Sequence, residues 1–264
     1  MKPIVSFDVD MTLLDHKNWK IPDSALDTIE KLRKNYTIVL ATGRDMDSAL
    51  SCAIRDKIRP DAVIHLNGTK VTVGNKVIYE HTFDKGLLKQ ILSFAENTPY
   101  SIGTTVDNKD YYVHPEWVRA RDMRLWGECK RVFADPFTLE KLDVRTMSFI
   151  GDEKGARAIE KHFPQVHVHM FADRRGADVV EKKASKAVGL ARLCEYYKIP
   201  LADTTAFGDS MNDYDIIKAA GRGIAMGNAM EELKKAADYV TDSIENDGIR
   251  NACLHLGMLT PAAV

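Results

Sequence analysis

The chain of 264 residues carries almost no net charge: 37 Lys and Arg stand against 38 Asp and Glu, leaving −1. No global field is available to recruit nucleic acid or an anionic membrane surface. No apolar run approaches the roughly 18 residues of a membrane span. The first residues run straight into a strand-like segment, without the basic region, apolar core and cleavage site of an export signal. Cysteine is scarce. Its four positions, Cys52, Cys129, Cys194 and Cys253, are scattered and form no C-x-x-C pair. Such spacing indicates free thiols in a reducing cytoplasm rather than a disulfide frame. There is no low-complexity tract and no internal repeat. "GRGIAMG" holds glycines, but not at the G-x-G-x-x-G spacing of a dinucleotide site. What remains is a soluble globular composition, 45% hydrophobic and 28% charged, long enough for one large domain or two ordinary ones.

Strand and helix signals alternate at both ends of the chain. "PIVSF" predicts a buried strand, and "IPDSALDTIEKLRKN" a helix whose apolar face is Ala25, Leu26, Ile29 and Leu32, closed by a left-handed Asn35. "YTIVLA" predicts a second strand, "MDSALSCAIRD" a helix and "AVIHL" a third strand. This spacing argues for βαβ units and a parallel sheet. "KVTVGNKVIYE" then predicts a hairpin at Gly74-Asn75. The rhythm changes to short strands mixed with helices, and regular alternation returns at Lys186. The expected architecture is an α/β Rossmann-like core made of residues 1–81 and 184–264, interrupted by an α+β domain at 82–183.

The chemistry sits where the core strands run out. In "FDVDMTLLD", Asp8 and Asp10 are two residues apart, a spacing that aims both carboxylates one way along a strand. Thr42, Asn67 and Asp209 also fall at strand ends, where open parallel sheets bind ligands. Asp8, Asp10 and Asp209 offer oxygen donors with no histidine or cysteine beside them, a set that suits Mg²⁺. A divalent cation would also keep clustered carboxylates ionised.

The segments "DVDMT", "TGR", Lys186 and "GDSMND", in this order and spacing, resemble the haloacid dehalogenase superfamily, most closely its Cof-type phosphatases of subclass IIB. "LNGT" and the stretch Gly223–Ile249 add to the likeness, which covers roughly 160 residues of the core. The middle third resembles the C2B cap in length, position and strand–helix pattern. The resemblance implies a Mg²⁺-dependent phosphatase. Asp8 would be the nucleophile that forms an aspartyl-phosphate, and Asp10 the acid and base, with Asp10 binding metal through its backbone carbonyl. Asp8 and Asp209 would be the carboxylate ligands. Thr42, the Gly43 N–H, Lys186 and Asn212 would bind the phosphoryl group, and Asp213 would hold Lys186 or a metal-bound water. Lys182 and Lys183 rival Lys186, because the glycines usual around this lysine are absent.

The resemblance further implies a small phosphorylated metabolite as substrate, sugar phosphates first, then pyridoxal phosphate or FMN, with no nucleic-acid or membrane partner and a monomer or small homo-oligomer. A phosphomutase of the same fold and a non-catalytic metabolite-binding regulator are the alternatives. Met11 occupies the place where the family most often has glycine. A negative φ is expected there, with the thioether near the site entrance. His167 and His169 share a strand face without a third ligand. "WVRARDMRLW" reads either as a substrate lid or as a solvated helix with a buried tryptophan side.

Overall fold

The computed structural model describes residues 2–49, 51–171 and 174–259. The chain divides into two compact units, one made of Met1–Glu80 with Ala184–Val264 and the other of His81–Lys183. The first unit begins with β1 (Ile4–Phe7), α1 (Asp23–Leu32), β2 (Thr37–Ala41), α2 (Cys52–Ile58), β3 (Ala62–His65), β4 (Lys70–Val73) and β5 (Lys76–Glu80). The second carries α3 (Lys85–Glu96), β6 (Ser101–Val106), β7 (Lys109–Val113), α4 (Pro115–Trp126), β8 (Phe133–Ala134), β9 (Met147–Ile150), α5 (Glu153–His162), β10 (Val166–Met170) and β11 (Gly176–Glu181). The first then resumes with α6 (Lys186–Tyr197), β12 (Thr204–Gly208), α7 (Tyr214–Ala219), β13 (Arg222–Ala225), α8 (Glu231–Ala236), β14 (Tyr239–Val240) and α9 (Gly248–His255).

The first unit is a mixed α/β fold around one sheet of order β14-β13-β12-β1-β2-β3-β4-β5. The six strands from β14 to β3 are parallel, and β4 and β5 add an antiparallel edge. The central strands β1 and β2 are near-continuous apolar runs because both faces are covered; Ile4, Val5, Phe7, Ile38, Val39 and Leu40 are all inaccessible to solvent. Helix α1 buries Ala25, Ile29 and Leu32, the stripe its sequence period predicts. Its end differs from expectation. Asn35 is not left-handed, and the chain closes instead through the Asn35 and Tyr36 N–H groups on the Leu32 carbonyl. Helix α2 begins at Cys52, later than the predicted stretch; Leu50 lies outside the described residues.

The turn after β3 shows why glycine is needed. Leu66, Asn67 and Gly68 all have positive φ. At Gly68, φ is +97° and an added Cβ would lie 1.9 Å from the Ser185 carbonyl oxygen. The obstacle is backbone and cannot swing away. This close approach seats the turn against the start of α6. Gly68→Ala is expected to cost about 2–4 kcal/mol, read as a fall in the denaturant midpoint.

The second unit has a six-stranded sheet of order β10-β11-β9-β6-β7-β8, antiparallel except for the β7–β8 pair. Helices α3 and α5 cover one face, where Leu88, Ile91, Leu92 and Ile159 pack with Ile102, Tyr111, Val113 and Phe149. Side chains alternate along a strand, so Tyr112 points to the other face. There it meets Val118 of α4. The expectation of a buried tryptophan side on α4 does not hold: Trp117 and Trp126 are exposed, and the helix buries Val118 and Asp122 instead. Arg131 ties Asp122 to Asp110, at 2.7 Å from each. On β10, His167 and His169 stand 5.5 Å apart, with His167 facing Glu160.

Candidate active site

Register brings the acidic residues together. β1 and β12 run side by side with Phe7 opposite Phe207, their rings stacked at 5.0 Å. Asp8 follows Phe7 directly and Asp209 lies two residues beyond Phe207, so both leave the sheet at one edge. On the other side β2 pairs Leu40 with Phe7, which puts Thr42 at the same edge. The Asn67 N–H donates to the Thr42 carbonyl at 2.9 Å and draws in the loop after β3. The chain runs outward through β2 and β3 on one side and through β13 and β14 on the other. The acids therefore flank the switch point, where α/β sheets open a crevice at the strands' carboxyl ends.

Lys186 lies at the centre. Its side chain is wholly buried, and Nζ sits 2.6 Å from Asp8 Oδ1 and 2.6 Å from Asp213 Oδ1. Ser185 caps α6 by accepting from the Val188 N–H, which directs the first helical side chain inward. Lys182 and Lys183 are exposed. Asp213 is also saturated on its second oxygen, which accepts from the Asp209 and Ser210 N–H groups. Burial would discharge the lysine, but Asp213 and Asp8 outweigh it and hold the ammonium above its ordinary value.

Asp8 behaves in the opposite way. Burial raises its carboxyl to about 7 against the pull of Lys186, and the charges of Asp213 and Asp10 add to the rise. Asp209 is likewise pushed well above the usual carboxylate range by burial, and then by the charges of Asp8 and Asp213. Thr12 donates to Asp209 Oδ1 at 3.0 Å, but neither Asp8 Oδ2 nor Asp209 Oδ2 accepts a hydrogen bond from a described residue. Oxygens of Asp8, Asp209 and Asp213 lie within 4.8 Å of one another. This all-oxygen set with excess negative charge fits a hard divalent cation.

The fit has a measurable sign. An acid with a folded value of about 7 and an ordinary value of 3.8 binds more protons folded than unfolded between those limits. Metal-free stability should therefore fall as pH rises through that interval and level off above it. A cation that neutralises the cluster is expected to raise Tm more at about pH 8 than at about pH 5. Thermal unfolding with and without Mg²⁺ at both pH values measures this; equal increments would contradict it.

Asp10 takes a different course from Asp8. Strand β1 ends at Phe7, so alternation no longer governs, and the two carboxylates find different partners. Arg44 grips Asp10 with Nε to Oδ2 at 2.7 Å and Nη2 to Oδ1 at 2.6 Å, and His16 Nε2 donates to Oδ1 at 2.6 Å. Burial alone would raise Asp10, but Arg44 and then His16 overcome it and hold the carboxyl below its ordinary value. Thr42 is fully buried and its Oγ1 accepts from the Arg44 N–H at 3.1 Å, leaving its own proton to donate. The Gly43 N–H donates to no described residue. Asn212 is oriented at both ends, accepting from Ser210 Oγ at 2.6 Å and donating to Asn67 Oδ1 at 3.0 Å.

Met11 overturns the expectation of a negative φ: it stands at +61°. The Met11 N–H donates to the Leu14 carbonyl, and both Leu13 and Leu14 donate to the Val9 carbonyl. The turn closes with Met11 left-handed, at a cost of about 1–2 kcal/mol for a side chain other than glycine.

Arg44, His16 and Asn228 escaped the sequence reading. Arg44 was visible as the last letter of "TGR", and Asn228 lies inside the Gly223–Ile249 stretch; His16 carries no local signal. A second cluster, Asp45, Asp47 and His65, is neutralised by Lys70 and Arg55. No helix among the described residues is long and apolar enough to cross a membrane.

Residues 5–253 match the model of the haloacid dehalogenase-like hydrolase family. Bacillus subtilis YkrA is 30% identical, with 97% of this chain and 98% of that protein covered. The 5-amino-6-(5-phospho-D-ribitylamino)uracil phosphatase YitU of B. subtilis is 26% identical, with 93% and 94% covered. The subclass IIB sugar phosphatase BT4131 superposes with a TM-score of 0.86 at 27% identity, covering 98% of this chain and all of that one. With a model match over nearly its whole length and an acid-bearing switch point in its sheet, the chain belongs to the haloacid dehalogenase-like hydrolase family.

Proposed function

We propose that this phosphatase is Mg²⁺-dependent and hydrolyses phosphate monoesters of small metabolites through an aspartyl-phosphate on Asp8. The carrying observation is the buried lysine bridging Asp8 and Asp213 beside the unpaired oxygens of Asp8 and Asp209. Asp8 attacks phosphorus through Oδ2, the oxygen Lys186 leaves open, and the ester oxygen departs with the bridging electron pair. Lys186 neutralises charge on the transferring group, and the hydroxyl of Thr42, the Gly43 N–H and the Asn212 amide donate to its oxygens. Asp8 and Asp209, with the Asp10 backbone carbonyl, would hold Mg²⁺, which when bound supplies Lewis-acid stabilisation of the phosphoryl oxygens.

Arg44 and His16 hold the Asp10 carboxyl below its ordinary value, which favours the carboxylate that takes a proton from the water that cleaves the acyl-phosphate. To protonate the leaving alcohol in the first half-reaction it must carry a proton, which requires loosening the Arg44 and His16 pairs.

Two relatives support a preference within that class: one is named a sugar phosphatase, and the other is named as the phosphatase of a phosphoribityl compound. Both names describe phosphate on a sugar or polyol carbon, so sugar and polyol phosphates come first, FMN and pyridoxal phosphate after them. The second unit, His81–Lys183 where the sequence suggested 82–183, is the element that would select among them. A panel of phosphorylated metabolites tests the reading. Inorganic phosphate should accumulate, stop with EDTA and resume with Mg²⁺. Transfer to a second hydroxyl without free phosphate would instead mark a phosphomutase, and silence across the panel a binding protein.

A further inference from the structure

The segment Met226–Met230, after β13, touches both acid-bearing loops. The Met230 N–H donates to the Asp209 carbonyl at 2.9 Å. The half-buried Asn228 donates through Nδ2 to the Met11 carbonyl at 2.8 Å and accepts through Oδ1 from the Ile244 N–H at 2.9 Å. Both ends of the amide are engaged, so its orientation is set. On the other side of the same residue, the Met11 N–H is held by the Leu14 carbonyl. Both peptide planes flanking Met11 are thus pinned in the left-handed conformation, and the plane on its amino side carries the Asp10 carbonyl.

We propose that Asn228 is a positioning residue: through the Met11 carbonyl it holds the strained turn that orients Asp10, and with Met230 it couples that turn to the Asp209 loop. A methionine at φ of +61° gains by relaxing toward negative φ once its carbonyl is released. Relaxation would swing the Asp10–Met11 peptide and move Asp10. Glycine at position 11 has no such tendency, since positive φ costs it nothing. The clamp therefore matters in proportion to the strain it opposes. This rests on the phosphatase reading for its catalytic consequence, but not for its structural one.

The test is a cycle of Asn228→Ala, Met11→Gly and the double variant. With an aryl phosphate, Asn228→Ala is expected to lower kcat about 10–100-fold while KM stays within about 3-fold. In the Met11→Gly background the same substitution should cost far less. Metal-free Tm should follow the same pattern, and the Mg²⁺ concentration needed for half-maximal stabilisation should rise in Asn228→Ala. Should Asn228→Ala fail to fold, Asn228→Asp keeps the acceptor for the Ile244 N–H, loses the donor to Met11, and should reproduce the kcat loss. An unchanged kcat in the folded variant overturns the proposal, as does an equal loss with methionine and glycine at position 11. If the wild-type chain releases no phosphate at all, the proposed function fails, and the Tm cycle still decides whether Asn228 clamps the turn.

Discussion

Asp8→Asn is expected to abolish phosphate release from an aryl phosphate, by about 10⁴–10⁶-fold, since an amide cannot take the place of the attacking carboxylate. The protein should remain folded, and the physical chemistry gives a stronger expectation than mere tolerance. The Asp8 carboxyl is raised to about 7 by burial and neighbouring acids, despite Lys186. Above that pH the folded, metal-free protein carries a charge its surroundings resist. Asparagine is isosteric, still accepts from Lys186 Nζ through Oδ1, and removes that charge. Metal-free Asp8→Asn should therefore unfold at higher temperature than the parent at about pH 8, with the gain shrinking toward about pH 4, where the folded parent's carboxyl is protonated and the unfolded one is close to its ordinary value. Loss of activity combined with gained stability marks a residue kept for chemistry. Retained turnover would sink the nucleophile assignment. Lost activity with lost stability would recast Asp8 as a structural partner of Lys186.

Lys186→Met should have the largest effect on stability. The lysine is inaccessible to solvent and is shared by two buried carboxylates, Asp8 and Asp213. Methionine matches its length but leaves both acids uncompensated. Removing one partner of a buried pair costs about 3–5 kcal/mol, and here two acids lose the same cation. Denaturant unfolding should register a cost in that range, and phosphate release should be lost. The cost should shrink in the Asp8→Asn background, because one of the stranded charges is already gone. An equal cost in both backgrounds would mean that Asp213, and not Asp8, is the acid whose charge Lys186 compensates.

Much of this was legible in the sequence because it is local. Apolar runs of four or five residues, separated by amphipathic helices, name the strands of a parallel sheet without reference to anything distant. Gly74-Asn75 specifies a hairpin from two residues, and β4 and β5 pair around it. Asp8, Thr42, Asn67 and Asp209 could be collected from four separate strand ends because the fold class brings carboxyl ends to one edge. That reasoning needs only strand direction. Alternation misled it at Asp10, since it assumed that β1 continues where the chain in fact turns. Met11 failed for a related reason. A preference for negative φ is a property of the residue, while the hydrogen bonds from Leu13 and Leu14 to Val9 are a property of the loop, and the loop prevailed.

By itself the sequence determined the elements, the α/β class and the acids available for chemistry, because these depend on period, propensity and residue type within a few positions. Only the tertiary structure decided who faces whom. It brought Lys186 rather than Lys182 or Lys183 to Asp8. It turned Asp10 toward Arg44 and His16, and it placed Asn228 on the Met11 carbonyl, 217 positions away in sequence. A charge buried at a sheet edge takes its partner from whichever segments the topology packs beside it, and nothing in the local run of residues encodes that choice.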